Sequence, residues 1–162
     1  MSQPDDARRT ILVVEDVEDT RQLLALQLRG QGYHVVEACD GREALIAAER
    51  DHPDLILMDL SLPTLDGLSA IYRLRESETT ARVPVIACTA HSPELHMKAA
   101  RAVGCDEYVT KPVDLTKLTE LVGRLLADGR GDAAAPHPAG ARPRSDEELL
   151  DYIEGLMGDE RR

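Results

Sequence analysis

Five side chains in this sequence have the right types to do chemistry together: the carboxylates of Glu15, Asp16 and Asp59, the hydroxyl of Thr89 and the ammonium of Lys111. Each follows a short apolar run. Ile11-Leu12-Val13-Val14 leads into Glu15-Asp16, and Leu55-Ile56-Leu57-Met58 into Asp59. Val85-Ile86-Ala87-Cys88 leads into Thr89-Ala90, and Tyr108-Val109-Thr110 into Lys111-Pro112. An ionised carboxylate half-buried and unpaired is costly, so Asp59 either caps the turn after it or does chemistry. Clustered carboxylates repel one another, and the usual remedy is a divalent cation; an all-oxygen donor set completed by water suits Mg²⁺. A cation, an ammonium and a hydroxyl around one exposed carboxylate make a place for a phosphoryl group. The cation and Lys111 would neutralise its oxygens, Thr89 would hydrogen-bond one of them, and Asp59 would be the in-line nucleophile.

That chemistry requires elements that deliver all five residues to one place. Leu55–Leu60 is too short for a helix and punctuated on both sides, the signature of a strand buried on both faces of a parallel sheet. Ile11–Val14, Tyr33–Cys39, Val83–Cys88 and Asp106–Val109 read as further strands. Helical patterns separate them. Glu18-Asp19-Thr20 opens a helix whose apolar face is Leu23, Leu24, Leu26 and Leu28, ended by Gly30 and Gly32. Asp40-Gly41 turns into a helix with Ala44, Leu45 and Ala48, stopped by Pro53. Asp66-Gly67 leads a helix carrying Leu68, Ile71, Tyr72 and Leu74. Helices from about Pro93 to Val103 and from about Leu115 to Leu126 complete the alternation. Strict alternation of buried strand and amphipathic helix implies an α/β fold, a parallel sheet with helices on both faces. Ligands of such folds sit outside the carboxyl ends of the strands, the edge at which Asp16, Asp59, Thr89 and Lys111 would emerge.

The totals fit. A chain of 162 residues with 43% hydrophobic content can build one ordinary core, here without Phe or Trp. A net charge of −11 argues against nucleic-acid binding, which needs clustered Lys and Arg. No apolar stretch approaches a membrane span and no apolar leader opens the chain, so a cytoplasmic protein without membrane contact is expected. Cys39, Cys88 and Cys105 form no CxxC pair and read as reduced core or near-core thiols. His34, His52, His91, His96 and His137 show no metal-ligand spacing. The expected organisation is a frayed N-terminus (1–9), one domain (10–127), a Gly/Pro/Ala-rich linker (128–144), an amphipathic helix (145–158) and a short tail (159–162). Ser145-Asp146-Glu147-Glu148 has the capping-box pattern, and Leu149, Ile153 and Leu156 follow at helical spacing. A helix this short is marginal alone in water. It either docks on its own domain or a partner, or stays disordered.

Taken in order, Ile11–Asp16, Leu57–Pro63 with Asp66-Gly67, Val85–Ala90 and Tyr108–Pro112 resemble the receiver domain of two-component response regulators, over about Thr10 to Leu126. The resemblance implies the flavodoxin-like (βα)5 doubly wound sheet in the order 2-1-3-4-5. It implies that Asp59 accepts phosphate from a phosphohistidine on a sensor histidine kinase or a histidine phosphotransfer protein. Asp16, Asp59 and the backbone carbonyl of Ser61 would ligate Mg²⁺, with Glu15 acting through water; Glu15 stands where many family members carry Asp. Lys111 would pair with Asp59 and then with the phosphoryl group, and the Lys111-Pro112 bond would be cis. Thr89 and Tyr108 would be the switch pair, the tyrosine ring turning from outside to inside. The only chemistry expected is the chain's own phosphorylation and slow autodephosphorylation, not turnover of a substrate. The output face would be the fourth helix, fifth strand and fifth helix, meeting a downstream protein or a second copy as a homodimer. The acidic residues after the domain argue against a DNA-binding output, so a stand-alone regulator is expected.

Two other classes fit the residues less well. A phosphatase with an aspartyl nucleophile at a strand end usually carries a second acid two residues on; Ser61 occupies that position. An FMN-binding protein would need a Ser/Thr/Gly-rich phosphate loop after the first strand, where this chain has Glu15-Asp16.

Overall fold

The computed structural model describes residues 8–62, 66–90, 93–128 and 146–158. Five strands form one sheet: β1 (Thr10–Val14), β2 (His34–Ala38), β3 (Leu55–Asp59), β4 (Val85–Thr89) and β5 (Glu107–Thr110). All pairs are parallel and the order is β2-β1-β3-β4-β5, as the sequence pattern and the resemblance require. The three central strands are buried along nearly their whole length, which is why their sequences are continuous aliphatic runs rather than alternating ones.

Six helices accompany the sheet among the described residues: α1 (Glu18–Gly30), α2 (Gly41–Asp51), α3 (Gly67–Glu76), α4 (Pro93–Val103), α5 (Leu115–Asp128) and α6 (Asp146–Gly158). Two apolar layers result. On one face Leu24, Leu28, Leu118 and Val122 of α1 and α5 pack over Ile11, Leu57 and Ile86. On the other, Ala44, Ile71, Ala99 and Val103 of α2, α3 and α4 pack over Leu12, Ile56 and Ala87. Three helix starts are fixed by side-chain caps: Asp40 accepts from Glu43 N–H, Asp66 from Ser69 N–H and Asp114 from Thr116 and Lys117 N–H. No helix among the described residues is long and apolar enough to cross a membrane.

Two expectations change in detail, and one alternative that was open is decided. In α1 only Leu24, Ala25 and Leu28 are buried, while Leu23 and Leu26 are exposed, because at 3.6 residues per turn these two fall on the side of the helix away from the other three. Cys39 is exposed, not a core thiol, since β2 ends at Ala38; Cys88 and Cys105 are buried and free. The last helix, α6, docks on its own domain against α3 and α4. Leu149 is fully buried there, and the Tyr152 ring lies 5.8 Å from that of Tyr72. The side chains of Ile153 and Leu156, and the segments 1–7, 129–145 and 159–162 that span the expected terminus, linker and tail, lie outside the described residues.

Candidate functional site

The site is built where β1, β3 and β5 end. Parallel pairing carries the ladder past the strand ends: Glu15 N–H donates to Ala38 O at 3.1 Å, Leu60 N–H to Cys88 O at 2.9 Å and Lys111 N–H to Thr89 O at 2.8 Å. The residues just beyond each strand are therefore held as firmly as the strands themselves. The Lys111-Pro112 bond that follows is cis.

Glu15, Asp16 and Asp59 bring carboxylate oxygens within 4.8 Å of one another. Glu15 and Asp59 are buried and Asp16 is exposed at the mouth. Lys111 Nζ reaches between the two buried acids, 2.9 and 3.1 Å from the Glu15 oxygens and 3.2 Å from Asp59 Oδ2. The other oxygen, Asp59 Oδ1, accepts the N–H of Ser61 at 3.0 Å. Asp59 thus caps its turn with one oxygen and faces the cluster with the other, so the two readings of this residue are not exclusive. Ser61 is exposed, two residues after Asp59.

Electrostatics follow from this crowding. Burial, reinforced by the neighbouring Asp59 and opposed by Lys111, raises the Glu15 pKa to about 7. Burial works to lower Lys111, but the hydrogen bonds and charges of Glu15 and Asp59 together outweigh it and the ammonium is held charged more firmly than usual. Three clustered carboxylates, two of them paired with the one ammonium, leave net negative charge in a small oxygen-lined space. That donor set fits Mg²⁺, with Asp16 offering the accessible oxygens.

Thr89, fully buried at the end of β4, is registered opposite Thr110, and Tyr108 opposite Ala87. The Tyr108 ring packs against the α2–α4 layer and its hydroxyl is buried, with no well-formed hydrogen bond among the described residues. Tyr108 pairs with Ala87, two residues before Thr89, so both side chains lie on one face of the sheet; burial raises the pKa of the tyrosine hydroxyl and the Thr89 side chain opposes that rise.

The pairing of Glu15 with Lys111 is not encoded in any local sequence pattern, and neither are the contacts of three supporting residues. Arg21 donates to the Glu15 carbonyl at 2.9 Å and to Glu37 at 3.3 Å, fixing the β1–α1 turn. At Gly67 an added Cβ would stand 2.2 Å from the Asp59 carbonyl oxygen, so the start of α3 passes against the backbone of Asp59 itself and only glycine fits. The Asp66-Gly67 pair was visible as a turn signal, but the close approach was not. The third is Arg75, a buried guanidinium under the far end of β4 and β5.

Comparison with known proteins adds family context. Residues 11–123 match the response regulator receiver domain model. The polar-differentiation response regulator DivK of Brucella ovis is 34% identical over 120 residues, 74% of this chain and 98% of DivK. The receiver domain of the sensor histidine kinase PA1611 from Pseudomonas aeruginosa, solved with a magnesium ion in its active-site cleft, is 36% identical with a TM-score of 0.70, covering 75% of this chain and 99% of that one. The chemotaxis protein CheY4 of Vibrio cholerae is 28% identical with a TM-score of 0.70, covering 73% of this chain and 98% of its own.

Proposed function

The chain belongs to the response regulator receiver domain family of two-component signalling, and on that premise we propose that it is a switch thrown by phosphorylation of Asp59. One observation carries this reading: Asp59 ends β3 inside a cluster of three carboxylates, with its Oδ2 3.2 Å from Lys111 Nζ. A carboxylate oxygen of Asp59 attacks the phosphorus of a phosphohistidine on a sensor histidine kinase or a histidine phosphotransfer protein. A P–O bond forms, the P–N bond breaks, and the imidazole leaves as neutral histidine after taking a proton from solvent. Asp16, Asp59 and the Ser61 carbonyl would hold Mg²⁺, with Glu15 acting through water; bound there, the ion supplies neutralisation of the phosphoryl oxygens. Lys111 follows the charge, from Asp59 to the phosphoryl oxygens, and the Thr89 hydroxyl donates to one of them. Tyr108 turns inward over Thr89, which carries the change to the surface of α4, β5 and α5.

A downstream protein or a second copy reads that surface. A groove of about 230 Å³ lined by Tyr108, Pro112, Lys117 and Leu121 lies on it between β5 and α5. The net charge of −11 favours a protein over a nucleic acid as reader, and a cytoplasmic location suits both partners. Incubation with Mg²⁺ and acetyl phosphate, read by intact mass, tests the assignment. The expected gain is one phosphoryl group, abolished in Asp59→Asn; an equal gain in that variant, or none in the native chain, refutes it.

A further inference from the structure

Helix α6 lies beyond residues 11–123 that match the family, yet it is packed into the domain that carries the site. Its contact is small and well defined. Leu149 is fully buried in the same apolar layer as Ile71, Ala99, Ala100 and Val103, and Tyr152 meets Tyr72, itself 2% exposed. The chain has four tyrosines and no Phe or Trp, so half of its aromatic rings are committed to this one seam. Thirteen residues do not hold a helix alone in water, so α6 stays helical because it is docked. The opposite side carries Glu147, Glu148 and Asp151 in solvent, which orients Leu149 inward.

The layer under α6 is continuous with the switch. Ala99, Ala100 and Val103 are the buried face of α4, whose end runs through Gly104 and buried Cys105 into β5 and Tyr108. Tyr108 packs on that same layer with its hydroxyl buried, on the sheet face that it shares with Thr89. This inward placement is the one that the proposed function assigns to the phosphorylated arrangement, and it is present together with docked α6. We propose that α6 is a positive allosteric element of the receiver: its docking on α3 and α4 supports the α4 and Tyr108 placement that phosphorylation of Asp59 selects, so docking and phosphorylation reinforce each other. The inference rests on Asp59 being the phosphoacceptor. Coupling of this kind is reciprocal, and its usual size is about 5- to 150-fold in affinity.

The test uses the full chain, Mg²⁺ and beryllofluoride as the stand-in for a phosphoryl group, with binding followed by ¹⁹F NMR. Leu149→Asp, which puts a charge into the seam, is expected to weaken beryllofluoride at least about fivefold. Tyr152→Ala, a milder change that leaves Leu149 in place, is expected to weaken it less. Circular dichroism checks that both variants keep the α/β core. In the native chain, saturating beryllofluoride is expected to slow amide hydrogen exchange across 146–158. Affinity unchanged or tightened in a folded Leu149→Asp variant overturns the proposal. So does a native dimer that dissociates in Leu149→Asp, because α6 would then be serving a second copy. Failure of the native chain to bind beryllofluoride at all removes the phosphoacceptor premise instead, and the proposal with it; that outcome is distinct because the native chain alone reveals it.

Discussion

At Glu15 the fold buries one carboxylate beside another and gives both a single ammonium. A residue written as acidic in the sequence is therefore poised near neutrality, with a pKa raised to about 7 from 4.5 chiefly by burial. The consequence for stability has a definite sign. An acid whose pKa is higher in the folded chain binds its proton more tightly there, so its contribution is fully present below the unfolded value and is lost as pH rises through the folded one. Metal-free protein in EDTA is expected to lose thermal stability between pH 5 and pH 7.5, roughly the window set by the two pKa values. Glu15→Gln removes the titrating proton and should flatten that slope, leaving the variant relatively more stable at the upper end. Parallel slopes for the two proteins, measured by thermal denaturation across that range, would show that Glu15 is not the group responsible. Mg²⁺ should narrow the gap at the alkaline end, since a cation relieves the repulsion that burial creates.

At the scale of elements, the strand runs were legible because a strand covered on both faces must be apolar throughout, and Leu55–Leu60 and Ile11–Val14 have no other sensible reading. Their carboxyl-end residues followed from strand direction alone. What stayed hidden were the contacts made between elements that no local pattern encodes. Arg75 is the sharpest case. It lies two residues from Arg73 in α3, and nothing in the spacing separates them, yet Arg73 pairs with Glu76 near the surface while Arg75 is buried. Its guanidinium donates to Gly104 O at 3.0 Å, Val83 O at 2.7 Å and Asp106 Oδ2 at 3.0 Å, with Thr80 O and Ala81 O within 3.3 Å. One side chain ties the end of α3, the entry to β4 and the turn between α4 and β5. Arg75→Ala would strand several carbonyls and leave Asp106 without its cation in a largely buried setting. The expected cost is about 3–5 kcal/mol, read from the urea midpoint. A loss under about 1 kcal/mol would mean that water takes over the guanidinium's role.

At the scale of the molecule, the chain is one sheet with two separate apolar layers, and the question is whether the layers melt together. The alternation of strands and helices announces both layers but not which residues seal them, because a helix pattern says that a face is apolar and not what meets it; α6 is the clearest instance, its pattern visible and its destination open. Two thiols report on the layers independently. Cys88 lies under α1 and α5, and Cys105 under α2, α3 and α4. Burial raises both pKa values, so neither thiol reacts until its own layer opens. Cys39 is exposed; the Glu43 carboxylate 2.9 Å away raises its pKa too, slowing but not blocking it. The strands β3 and β4 carry residues into both layers, Ile56 and Ala87 to one and Leu57 and Ile86 to the other. Neither layer can dissolve without exposing the apolar backs of the strands that line the other. Unfolding should therefore be all-or-none. Pulsed alkylation in rising urea, read by mass spectrometry, should label Cys39 in the native chain and Cys88 and Cys105 later at a common midpoint. Separate midpoints for the two buried thiols would show that the layer carrying α6 and the layer carrying α5 are independent folding units.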